Sequence, residues 1–113
     1  MVVSKSTVVV QTAGESESEM PEEYALDQNY PNLFNPSTIF AFRLPATGDV
    51  SLNVYNILGQ EVATLTEGPF AAGVHRIEWD GRDSAGSAVA SGVYLIRMQA
   101  GRFRQVQKAV LLR

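Results

Sequence analysis

Residues 38 to 55, TIFAFRLPATGDVSLNVY, decide the fold. In TIFAFRL the apolar side chains recur with period two. Phe40, Phe42 and Leu44 fall on one side and Ile39, Ala41 and Arg43 on the other, as in a strand buried on one face. Pro45 ends the run because it has no N–H for a ladder, and Thr47-Gly48-Asp49 supplies turn chemistry. The next run sets Val50, Leu52 and Val54 inward, with Ser51, Asn53 and Tyr55 outward. Asn56-Ile57-Leu58-Gly59 then reads as a short hairpin connection in which Gly59 can take positive φ, and QEVATL returns.

The same period continues toward the C-terminus. Pro69 and Gly73 bracket another connection, and VHRIEWD places His75, Ile77 and Trp79 on one face, with Val74, Arg76 and Glu78 on the other. DGRDSAGSAVASG follows as a polar loop. VYLIRMQ is apolar on both faces, Val93/Leu95 and Tyr94/Ile96/Met98, which suits a central strand buried on both sides or an interface. A glycine turn at Ala100-Gly101-Arg102 leads to a last strand, RQVQKAVLLR, whose Val110 and Leu112 are expected to face the core. About six strands lie beyond Thr38, and no stretch of period 3.6 is long enough for a helix. The pattern predicts an all-β, antiparallel β-sandwich with inner faces about 10 Å apart.

Before Thr38 stands QNYPNLFNPST, residues 28 to 38. Pro31 and Pro36 fix φ and push Tyr30 and Asn35 into extended conformations. Asn29, Asn32 and Asn35 can fold their amides onto nearby backbone. The segment is a stiffened lead-in, and at least one of Tyr30, Leu33 and Phe34 is expected to pin it to the core.

The 113 residues, 45% hydrophobic, support one domain plus at most a tail. Without cysteine there is no disulfide framework, thiolate metal site or cysteine nucleophile. No run approaches the roughly 18 apolar residues of a membrane span, and the N-terminus lacks the pattern of a signal peptide. The net charge of −3 conceals a gradient. Residues 1 to 28 are acidic, with Lys5 as their sole cation, whereas Arg97, Arg102, Arg104, Lys108 and Arg113 have no acid among them. That basic end is expected to be the solvated side of an edge strand. A nucleic-acid partner is not expected, because too few aromatic residues are interleaved with the cations.

Three constellations invite a chemical reading. His75, in phase with Ile77 and Trp79, is expected to be a neutral imidazole bonded to backbone, which leaves the many serines without a base. Asp80 and Asp83, three apart in a glycine-bent loop, are candidate calcium ligands, but no bidentate glutamate closes the loop and Asx-turn capping is the preferred reading. Tyr55, Phe70 and Phe103 could form an exposed sugar-binding platform, with Trp79 expected in the core. No catalytic residue, metal or cofactor is expected.

The order QNYPNLFNPST, RLP, VSLNVYNILGQEVATL, GVHRIEWDGRDSAGSAVASGVYLIRMQAG and KAVLLR resembles the C-terminal sorting domain of the type IX secretion system. It is equally similar to the immunoglobulin-like domain of the flagellar hook-capping protein. The likeness covers residues 28 to 113, with Leu33 and Ser91 standing where the family often has proline. It implies an immunoglobulin-like sandwich of about 6 to 8 strands that closes a larger secreted protein of a Bacteroidota-type bacterium. Residues 1–13 would then be a strand-like remnant of the preceding cargo domain, 14–27 an acidic flexible linker and 28–113 the sorting domain. The implied function is a non-catalytic secretion signal, read by the outer-membrane sorting machinery, that takes cargo through the periplasm to the cell surface or medium. Recognition is carried over to Asn35 and Pro36, to Gly92 and Tyr94, and to the terminal strand from Lys108 to Arg113. The alternatives are a hook-capping-type assembly scaffold, or a carbohydrate-binding module of a secreted glycoside hydrolase.

Overall fold

The structure, a computed structural model, describes residues 20 to 113. The strand-like segment expected at 1–13 and the first part of the acidic linker lie outside the described residues. The strands are β1 (Ala25–Leu26), β2 (Leu33–Phe34), β3 (Thr38–Leu44), β4 (Gly48–Tyr55), β5 (Glu61–Phe70), β6 (Gly73–Trp79), β7 (Gly92–Ala100) and β8 (Phe103–Leu111). They form two sheets, β1-β3-β6 and β2-β8-β7-β4-β5. Among the described residues there is no helix, and the architecture is the immunoglobulin-like β-sandwich expected.

The period-two faces close on one another. Phe40, Phe42, Leu44 and Trp79 of the smaller sheet meet Val50, Leu52, Val54, Tyr94, Ile96 and Met98 of the larger, and all are buried. The open choice on the strand after Gly92 resolves to Tyr94, Ile96 and Met98 inside, with β7 central in its sheet.

Four features depart from expectation. Ala25–Leu26 falls within the stretch expected to be linker, yet it pairs with Arg43 and Phe42 and buries Leu26. The compact unit therefore begins at Tyr24, whose ring stacks on Phe103. Two residues are too short to show a period.

In β8 the inward residues are Ala109 and Leu111, while Leu112 is exposed and Val110 faces outward. Polar residues on the inner face disguised this phase. Gln105 accepts from Leu26 N at 2.8 Å and donates to Leu26 O at 3.0 Å, and Gln107 Nε2 donates to the same carbonyl at 2.8 Å. The free side of β1 is thus satisfied by side chains from the opposite sheet, as a buried backbone requires.

Pro69 does not bracket a connection but lies inside β5, tolerated because β5 is an edge strand. Finally, the sandwich is not wholly antiparallel, since β2 runs parallel to β8.

Candidate recognition site

The lead-in is held by a buried polar knot. Asn29 Nδ2 donates to Pro31 O at 2.7 Å and to Thr38 Oγ1 at 3.0 Å, and Thr38 Oγ1 donates to Pro31 O at 2.7 Å. Phe34 is the expected pin, 2% exposed and packed on Trp79 with ring centroids 5.5 Å apart, whereas Tyr30 is 82% exposed. Because β2 pairs in register with Val110 and Leu111, Asn35 and Pro36 are delivered to the C-terminal end of β8. Leu112 N donates to Phe34 O at 2.9 Å and continues the pairing.

The polar loop between β6 and β7 meets the same end. Gly92 pairs with Leu111, and Tyr94 Oη donates to Ala90 O at 2.6 Å while its ring lies edge-on to Trp79. A buried tyrosine bonded to backbone a few residues upstream is a loop anchor, the device of a tyrosine corner. Tyr94 therefore acts from inside, holding the loop rather than presenting its ring. Trp79 Nε1 bonds Arg82 O at 2.9 Å and secures the other end of the loop.

Arg113 ties these parts together. Its backbone N donates to Ser91 Oγ at 2.8 Å, its Nε to Val89 O at 2.6 Å and its Nη2 to Gly81 O at 2.6 Å. Gly81 has φ 75°, and a Cβ there would lie 2.8 Å from Arg113 Nη2 and 3.0 Å from Pro36 O. Three segments distant in sequence, the Asn35-Pro36 turn, the loop leading to Gly92-Tyr94 and the terminal Arg113, meet at this glycine. Lys108 is not part of the meeting point; it is exposed on the outer face of β8, and its carbonyl accepts from Gln28 Nε2 at 2.8 Å.

Sequence reasoning gave Gly81 and the carbonyl of Val89 no role here, and noted Ser91 only as standing where proline is frequent. The Asp80-Gly81 dipeptide at a strand end was the available signal, since such a pair marks a turn needing positive φ.

The other constellations have structural occupations. Asp83 Oδ1 accepts from Ala85 N at 3.0 Å and Ser87 N at 2.9 Å, the Asx-turn capping preferred from sequence, and Asp80 lies beside Arg82. Among the described residues no three acidic or imidazole groups cluster as a metal site. His75 Nε2 bonds Ala71 O at 2.7 Å. Tyr55 lies under Arg97, Phe70 against Phe42 and His75, and Phe103 on Tyr24, so the three aromatics form no shared platform. No helix of the described residues is long and apolar enough to cross a membrane.

The family model described as the FlgD Ig-like domain matches residues 28–102. The chain belongs to this FlgD Ig-like family. Three solved structures are similar to the chain. The crystal structure of FlgD from P. aeruginosa is similar with a TM-score of 0.54 and 28% identity, over 66% of this chain and 60% of that one. Dimeric latent PorU from Porphyromonas gingivalis gives a TM-score of 0.59 at 19% identity, over 81% of this chain and 10% of PorU. PorZ, described as a surface component of the type IX secretion system of the same organism, gives 0.51 at 17% identity, over 87% of this chain and 12% of PorZ. At those identities PorU and PorZ share the fold, and this chain spans only part of each of the three proteins. No curated protein matches.

Proposed function

We propose that this FlgD-like Ig domain is a non-catalytic sorting domain that carries a larger cargo protein across the outer membrane to the cell surface, with the secretion machinery as its partner. The observation that carries this reading is the meeting of Asn35-Pro36, the Gly92-Tyr94 loop and Arg113 at Gly81. These are the segments to which the sorting-domain resemblance assigns recognition, and they support one another physically at a single end of the sandwich. A domain that offers shape, backbone edges and charge can be read by a protein partner without doing chemistry. Lys108 would contribute a separate contact on the outer face of β8.

The test is a transplant of residues 20 to 113 behind a periplasm-targeted fluorescent reporter, in a type IX host with its translocon intact or disrupted. Surface or extracellular reporter in the intact strain alone supports sorting. Reporter that stays periplasmic in both strains, attached to a folded domain, rejects it.

The likeness to FlgD, at 28% identity, favours a second reading as an assembly scaffold. In that case the domain would give no export in the transplant.

A further inference from the structure

The outer face of the five-stranded sheet carries charges of both signs in an ordered way. Because β7 and β4 point Tyr94, Ile96, Leu52 and Val54 inward, their alternate residues face out. The strand registers align these outward residues in rows. One row crosses from Arg104 on β8 through Gln99 and Ser51 to Glu67 on β5, and another crosses from Lys108 through Leu95 and Tyr55 to Glu61. Between them Val106, Arg97, Asn53 and Thr64 form a third. Each outer row therefore begins with a cation and ends with a carboxylate. None of these four charged groups has an ion-pair partner among the described residues.

We propose that this face binds a second copy of the same chain, face to face, about a two-fold axis running parallel to the strands between β7 and β4. Such an axis reverses the order of strands and keeps the position along them, so it sets β8 of one copy over β5 of the other. Arg104 then faces Glu67 of the second copy, and Lys108 faces Glu61. Leu95 is carried to the row of Tyr55, whose ring lies under Arg97 of its own copy. Arg97 meets Asn53, whose Nδ2 is engaged with Glu61 and Thr64 while its Oδ1 accepts nothing among the described residues.

The end of the face obeys the same operation. Ile57 and Leu58, 72% and 78% exposed in the β4–β5 turn, are carried toward the exposed Val93 and Leu33. Val110 lies between those two, paired with both. An exposed apolar turn thus finds an apolar row. A self-complementary patch of this kind is what an isologous contact requires.

Four strands spaced about 4.8 Å and four rows give a footprint of about 500 Å² per copy, at the lower limit for a specific interface. The association is therefore weak, reversible and strengthened at low ionic strength.

Sedimentation velocity on the full 113-residue chain, from low-micromolar to millimolar concentration, tests the proposal. The expected result is a monomer–dimer equilibrium that weakens with added salt. Arg104→Glu and Glu67→Arg should each weaken it roughly tenfold, since each reversal is felt twice across the two-fold. The double variant should recover most of the loss. A chain that remains monomeric throughout, an association indifferent to either reversal, or a double variant no better than the singles would each overturn the proposal.

Discussion

The guanidinium of Arg113 donates to the carbonyl of Gly81 across 32 positions of sequence, at 2.6 Å. The contact is close because Gly81 has no side chain. The backbone of Pro36 occupies the remaining space, so the terminal strand, the loop after β6 and the prolyl turn share one small volume.

Gly81→Ala therefore meets two penalties, a left-handed φ and a Cβ pressed on both Arg113 and the unyielding Pro36 carbonyl. The expected loss is about 2 to 3 kcal/mol. Gly86→Ala has a similar φ of 89° but open space around its Cβ, so it should cost only about 1 kcal/mol. Chemical denaturation of both variants checks the difference; equal losses would mean that the crowding at Gly81 carries no energy.

Trp79 is 1% exposed and joins the lead-in to the loop through Phe34 and Tyr94. Trp79→Ala should cost about 3 to 5 kcal/mol in thermal or urea unfolding. Trp79→Phe keeps most of the packing but leaves Arg82 O without its donor, and should cost about 1 to 2 kcal/mol. A near-neutral Trp79→Ala would be incompatible with a core tryptophan.

The phase of β8 is open to a paired comparison. Leu111 is fully buried, whereas Leu112 beside it is exposed. Leu111→Ala should cost about 3 kcal/mol and Leu112→Ala no more than about 0.5 kcal/mol, measured as midpoint shifts in urea. The reverse order would restore the opposite phase.

Most of the sandwich was legible because Phe40, Phe42 and Leu44, and Val50, Leu52 and Val54, alternate with polar neighbours on strands long enough to display a period. The errors fall where that signal is shortest or inverted. Ala25–Leu26 is two residues long. On β8, Gln105 and Gln107 point inward because Leu26 offers unpaired backbone there, so polarity ceased to mark the outside. At the candidate site, Asn35-Pro36, Gly92 and Tyr94 were named through the family resemblance and not through local chemistry, and Gly81 owes its place to Arg113 and Pro36, contacts that no local pattern encodes.

The stitch across the sheets gives a further expectation. Gln105→Ala removes both partners it offers to Leu26, which should raise amide exchange at Leu26 and cost about 1 to 3 kcal/mol. Unchanged exchange at that amide would show that β1 is held by its pairing with β3 alone.

The most direct measurement for the central claim is export of the transplanted reporter by the Arg113→Ala variant, run beside Gln105→Ala as a destabilised control. If the end of the sandwich where Asn35-Pro36, Gly81 and Arg113 meet is the surface that is read, Arg113→Ala loses most export while the control, at comparable or lower stability, keeps it. Export that survives Arg113→Ala, or that simply follows the melting temperature of both variants, would contradict it.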